Sequence, residues 1–305
     1  DRLLAERPRG VWLARAPVLL RLAEVHTRRP LHFIFHTGHV GSTLVSRLSD
    51  ELPGILPLRE PQSLRVLADL YDSRAEPESL LSSDDVEQLC RAFCNAWQRG
   101  YPDTTAIILK ATSTAGRFAV PLLERLPQSR AIYMNLNAEP YLAALLSGAL
   151  SALDLRGHAA ARLRRLRAQL ATPLAPIYTL TRGELAAMSW LTESLAQAGC
   201  LQAFPQRVLA LDFDEFLVDV PAGLRRVRDH LQLADLELPA GGRIDEVLSR
   251  YSKAPAAPYS PAERARLLAE ARRVEAEEIR RGLRWLESLA RQEALVARLF
   301  DRVKV

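Results

Sequence analysis

The stretch Phe33 to Ser46, FIFHTGHVGSTLVS, constrains this chain more than any other. An apolar run, Leu31 to Phe35, ends at a turn carrying Gly38 and Gly41, and helical spacing follows through Leu44, Val45 and Leu48. Strand, tight loop and helix in that order aim backbone N–H groups and the positive end of a helix at one point, which is an anion site. Gly38 and Gly41 let the backbone wrap closely, and Ser42 and Thr43 add hydroxyl donors. The anion this predicts is a nucleotide phosphate. The loop is not a Walker A sequence, because no Lys precedes the Ser/Thr pair and the glycines stand too close together.

Further short apolar runs recur along the chain, at Ile55 to Leu58, Thr105 to Leu109, Arg130 to Leu136 and Val208 to Leu211. Between them lie segments of helical period: 42 to 52, 63 to 71, a Ser82-Ser83-Asp84 cap leading to Trp97, 114 to 126, 139 to 150 and 222 to 231. Strands alternating with helices predict an α/β fold, a parallel sheet of about five strands covered by helices on both faces. Residues 1–29 read as one or two amphipathic helices interrupted by Pro8 and Pro17, and residues 151–205 as a helical insertion. The last forty residues, about 262–305, read as a long charged helix broken at Gly282, a stabilised surface or dimer helix. The expectation is one domain over 1–305. Ligands in such sheets sit at the carboxyl ends of strands, so loops 36–43, 59–61 and 110–113 should meet at one cleft.

The charge balance is +5, with a pI of about 9.4, which is mild for 305 residues. No recognition motif accompanies it, so a phosphate-bearing cofactor or an acidic substrate accounts for the surplus better than nucleic acid. No run approaches the ~18 apolar residues of a membrane helix, and the expected compartment is the cytoplasm. Cys90, Cys94 and Cys200 form no metal set with a nearby His, and a Cys90–Cys94 bridge within a helix would be strained, so buried thiols are expected.

Taken together these pieces resemble the sulfotransferases, which transfer a sulfuryl group from 3′-phosphoadenosine 5′-phosphosulfate (PAPS). The family's phosphosulfate loop is a shortened P-loop, often a basic residue, any residue, Gly, Ser/Thr, Thr, and here it reads His39-Val40-Gly41-Ser42-Thr43-Leu44. Arg59-Glu60-Pro61 is similar to an acidic tripeptide that bacterial members carry after the second strand. Leu209 to Leu231, LALDFDEFLVDVPAGLRRVRDHL, resembles the family's late strand with its acidic-aromatic turn and following helix. The resemblance covers most of residues 31–233. It implies a three-layer αβα P-loop fold and PAPS as donor, a small-molecule or peptide hydroxyl (or amine) acceptor, and no metal, nucleic acid or membrane partner.

Residue by residue, the resemblance implies a donor loop of Thr37, Gly38, His39, Val40, Gly41, Ser42 and Thr43. His39 stands at the basic position, where a protonated imidazole would stabilise the leaving phosphate in a pH-dependent way. Glu60 would deprotonate the acceptor, as an acidic residue there does in some branches, or else pair with Arg59 or Arg65. Lys110 would offset charge on the sulfuryl oxygens, or else be a solvated strand-end residue. Part of the family has Lys-Thr-His after this strand, whereas this chain has Lys110-Ala111-Thr112-Ser113. Ser147 matches the family's Ser for the 3′-phosphate, but the Arg expected eight residues earlier falls on Glu139, whose carboxylate repels a phosphate. Arg250, Ser252 and Lys253 form the candidate substitute, with Tyr251 or Tyr259 stacking on adenine. His36 is read as packed under the loop, His32 and His158 as structural, and Arg156 to Arg167 as a solvated helical face. Asp212, Asp214 and Glu215 are read as structural contacts rather than metal ligands. A P-loop kinase and a non-catalytic member binding a partner are the alternatives.

Overall fold

A computed structural model describes residues 18, 28–148, 151–249 and 261–301. Most of the helical segment expected over 1–29 lies outside them, as do Arg250, Tyr251, Ser252, Lys253 and Tyr259. Five strands, β1 (Leu31–His36), β2 (Ile55–Arg59), β3 (Ala106–Lys110), β4 (Ala131–Asn135) and β5 (Val208–Asp212), pair in the order β2-β3-β1-β4-β5. Every pairing is parallel. The strands match the apolar runs to within a residue or two, because a strand buried on both faces has no polar positions to blur its limits.

Helix α1 (Ser42–Ser49) leads from β1 toward β2; α2 (Gln62–Ser73) and α3 (Ser83–Trp97) lie between β2 and β3. A 3₁₀ turn over Ser113–Phe118 precedes α4 (Ala119–Arg125), where one continuous helix was expected. Between β4 and β5 come α5 (Ala138–Leu146), α6 (Ser151–Arg167) and α7 (Arg182–Ala203). After β5 the order is α8 (Phe213–Val218), α9 (Val220–His230), α10 (Gly241–Leu248), α11 (Pro261–Val274), α12 (Ala276–Ala290) and α13 (Ala294–Asp301).

Successive β1 side chains point to opposite faces and build two cores. Ile34 joins Leu44, Leu48, Ile132, Leu142, Trp190 and Leu286 on one face. Phe33 and Phe35 join Leu67, Cys90, Leu109, Leu122 and Tyr133 on the other. The three layers follow. Capping fixes helix starts: Ser82 and Asp85 exchange hydrogen bonds at the head of α3 (3.1 and 3.2 Å), and Thr181 and Glu184 do so at α7. Cys90, Cys94 and Cys200 are all buried free thiols. Burial pushes Cys94 and Cys200 up to about 12, so neither thiol is reactive at neutral pH.

The expected break at Gly282 is not there. Among the described C-terminal residues the helical run is interrupted at Glu275 and near 291–293 instead, and Gly282 lies inside α12. Its missing side chain allows a close helix crossing. A Cβ on Gly282 would stand 2.5 Å from the Gly183 carbonyl oxygen of α7, and one on Gly183 would stand 1.8 Å from the carbonyl oxygen of Glu278. Backbone meets backbone there, so neither helix has a side chain that can yield. Gly282→Ala should therefore destabilise the protein by about 1–3 kcal/mol, the usual cost of overpacking. An unchanged urea midpoint would show that the crossing is looser than drawn.

Candidate functional site

All five strands point their carboxyl ends to one edge of the sheet, with β1 in the middle. At that edge a cavity of about 320 Å³ is enclosed by the loop from Gly38 to Leu44, Glu60 after β2, and Lys110, Thr112 and Ser113 after β3. Ser147 and Ala144 from the end of α5, Phe213 from α8, and Arg264, Leu267 and Leu268 from α11 close its far side. The three loops that the sequence groups together thus share one space. Among the donor-loop candidates Gly38, His39, Val40, Gly41, Ser42 and Thr43 line it, and Thr37 does not.

Thr37 is buried behind the loop and braces it. Its hydroxyl donates to Asn135 Oδ1 (2.9 Å), and its carbonyl accepts from the Tyr141 hydroxyl (3.1 Å). The Asn135 amide in turn donates to Ser194 and Gln197 of α7 (3.0 and 2.8 Å), tying the loop's base to that long buried helix. His36 braces the other side. Gly38 N–H donates to its Nδ1 (3.1 Å), which fixes the tautomer, so Nε2–H donates to the Ala111 carbonyl (2.9 Å). Burial first, and the nearby Lys110 ammonium second, lower the His36 pKa to about 3. The imidazole is therefore a neutral strut that also occupies the Gly38 amide.

The rest of the loop is turned toward the cavity. Gly38, His39 and Gly41 take left-handed backbone angles, φ 100°, 54° and 72°. Gly41 is the N-cap of α1, and its carbonyl accepts the Leu44 and Val45 amides (2.9 and 3.3 Å). Among the described residues the N–H groups of Val40, Gly41, Ser42 and Thr43 meet no protein acceptor, as the first turn of a helix leaves them. No side chain caps α1. These donors and the helix dipole make the anion site. At Gly41 a side chain is excluded twice: the backbone is left-handed, and a Cβ would lie 2.1 Å from the Phe213 ring.

Lys110 and Glu60 form the rim. The Lys110 side chain is only 2% exposed, and its ammonium is ion-paired with the Glu60 carboxylate, which is 48% exposed. The backbones join as well, with Glu60 N–H donating to the Lys110 carbonyl (2.7 Å). Glu60 is itself left-handed at φ 49°. Arg59, the partner considered for Glu60, pairs with Asp50 instead. Thr112 completes this end, its hydroxyl oxygen buried in the cavity wall with no hydrogen-bond partner among the described residues.

At the far end Ser147 is exposed and its hydroxyl donates to the Ala144 carbonyl (3.2 Å). Glu139 does not line the cavity; Arg272 of α11 holds its two oxygens at 2.7 and 2.8 Å. Arg264, also of α11, does line it, with Nε donating to Asp214 Oδ1 (2.8 Å) and the guanidinium carbon 5.0 Å from the centre of the Phe213 ring. Asp212 accepts the Asp214 and Glu215 amides and caps α8 (2.8 and 3.0 Å). Among the described residues no group of three or more His, Cys, Asp or Glu is placed to hold a metal ion. Sequence reading missed Arg264 and gave Thr112 no role.

No protein-family model matches the chain, and no curated protein sequence matches it. Two solved structures show a likeness in fold. One is the sulfotransferase domain from the curacin biosynthetic pathway, at 11% identity over 74% of this chain and 80% of that one, with a TM-score of 0.44. The other is mouse sulfotransferase SULT7A1 complexed with PAP, at 12% identity over 93% of each chain, with a TM-score of 0.43. At these identities and scores neither likeness says anything about residue roles, which rest on the cavity itself.

Two outcomes test this geometry. Gly41→Ala forces an L-residue into the left-handed region against Phe213; it should abolish phosphate binding in calorimetry and lower the thermal midpoint. His36 and His32 give a pH dependence, since both are buried and neutral, with pKa values lowered to about 3 and about 4. The unfolded chain takes up these protons near pH 6.5 and the folded one does not, so stability is full above that value and lost as pH falls below it. Each imidazole should cost roughly 2 kcal/mol between pH 7 and pH 5. Equal unfolding free energies at the two pH values would contradict the neutral-strut reading.

Proposed function

We propose that this chain is a PAPS-dependent sulfotransferase, moving a sulfuryl group to a hydroxyl or amine acceptor. The observation that carries the reading is one cavity combining unsatisfied amides at the head of α1 with a buried lysine paired to a carboxylate. In-line displacement at sulfur needs three things: an anchored leaving phosphate, a cation for charge on the sulfuryl oxygens, and a base for the acceptor proton. The amides of Val40 to Thr43 anchor the 5′-phosphate side, with His39 on the same wall. Lys110 faces the sulfuryl group. Glu60 takes the proton as the acceptor oxygen bonds to sulfur and the sulfur–oxygen bond to the donor phosphate breaks, releasing 3′-phosphoadenosine 5′-phosphate (PAP). Ser147 lies at the other end of the same space.

The measurement is transfer of labelled sulfuryl from PAPS to a panel of phenols, alkyl alcohols and amines, together with direct binding of PAP. Glu60→Gln should lower turnover by about 10²–10⁴-fold, the usual contribution of a general base, and leave PAP affinity nearly unchanged. Lys110→Met should lower turnover to a similar degree. A protein that binds no PAP at millimolar concentration would refute the reading. The non-catalytic alternative keeps one observation in its favour, since the Glu60 carboxylate is already engaged by Lys110. PAP binding without transfer to any acceptor, unaltered by Glu60→Gln, would support it.

A further inference from the structure

Arg264 is the cation of this cavity that the anion loop does not require. It belongs to α11, is 9% exposed, and faces the same space as the amides of Gly41 to Thr43. Its guanidinium lies against the Phe213 ring, whose own atoms fill the place where a Gly41 Cβ would be. A single phenyl ring therefore stands between the guanidinium and the loop. Arg264 also lines a second cavity of about 280 Å³, shared with Asp214 and Arg272. A ligand with one anionic group is satisfied by the loop alone. One that carries a second anionic group toward α11 meets a guanidinium held in place by an aromatic face and a carboxylate.

We propose that Arg264 makes the cavity selective for a nucleotide bearing a second phosphate on its ribose, distant from the phosphate in the loop. This rests on the reading of the cavity as a nucleotide-donor site. Glu139 cannot do this work, because it is a carboxylate outside the cavity wall and is held bidentately by Arg272. Arg264 can, because the partner it already has is the more hydrated of the two: the Asp214 side chain is 54% exposed and that of Arg264 only 10%. A phosphate brings more charge than that carboxylate and offers several oxygens to a planar guanidinium. Asp214 is then a competitor, and removing its charge should strengthen binding of the doubly phosphorylated ligand.

Calorimetry on the full chain with PAP and with AMP reads this as a ratio of affinities. The unaltered protein should bind PAP at least about tenfold more tightly than AMP, the worth of one charge-assisted contact. Arg264→Gln should bring the ratio close to one while AMP affinity stays within about twofold, and Arg264→Lys should keep part of the preference. Asp214→Asn should raise the ratio. If Arg264→Gln does not fold, Asp214→Asn decides alone, and an unchanged or lowered ratio overturns the proposal. Equal weakening of PAP and AMP by Arg264→Gln, or an unaltered ratio, overturns it while leaving the loop site standing. Failure of the unaltered protein to bind either nucleotide overturns both this inference and the donor-site reading.

Discussion

The absence of a side chain at Gly41 is the constraint on which the site depends. The residue ends β1's loop and caps α1 in a left-handed conformation, and the Phe213 ring occupies the space a Cβ would need. Two consequences follow from one missing atom. The first-turn amides of α1 are presented without a capping side chain to cover them, and the element after β5 is drawn against the loop after β1. Phe213 then carries Arg264 on its face, so α11 is registered to the anion loop through an aromatic contact. Aromatic faces attract guanidinium groups, which makes this contact favourable as well as steric.

Charges around the cavity are balanced in pairs. Lys110 holds Glu60, Arg264 holds Asp214, and Arg272 holds Glu139. Buried or half-buried charges without partners are costly, so a protein lacking its ligand satisfies them internally. An anionic ligand entering such a site gains only the difference between its own contacts and those it replaces. The backbone amides are the exception, since those of Val40 to Thr43 have no partner to surrender. The loop therefore supplies affinity, and the ion pairs supply discrimination between ligands of different charge.

The loop half of the cavity was legible in the sequence and the far half was not. Strand β1, the glycines and the Ser-Thr pair are contiguous, and contiguity is what periodicity and motif spacing report. Glu60 and Lys110 were legible for a related reason: each directly follows or ends an apolar run, and parallel strands bring such ends together. Arg264 carried no such mark. It sits in a helix where Arg266 and Arg273 pair with Glu263 and Glu270 at helical spacing, and nothing local separates the one arginine that turns inward. Gly282 misled for the opposite reason. A glycine in a charged helix reads as a break, whereas here it is the contact point with Gly183, a partner about a hundred residues away. Tertiary approach, unlike propensity, leaves no trace in neighbouring residues.

Glu60 shows how local strain and chemistry are joined at the rim. A left-handed φ in a residue other than glycine costs on the order of 1–2 kcal/mol, and nothing in Arg59-Glu60-Pro61 relieves it locally. What holds it is Lys110, which accepts the Glu60 N–H on its carbonyl and meets the carboxylate with its ammonium. The same residue thus fixes both ends of Glu60, and the carboxylate can stand at the cavity mouth only in that posture. On the proposed chemistry this has a directional effect. When Glu60 takes the acceptor's proton its attraction for Lys110 weakens, and the ammonium becomes available to the sulfuryl oxygens as charge builds on them. Base and cation are then successive states of one ion pair, and the strained backbone at Glu60 keeps them within reach of each other.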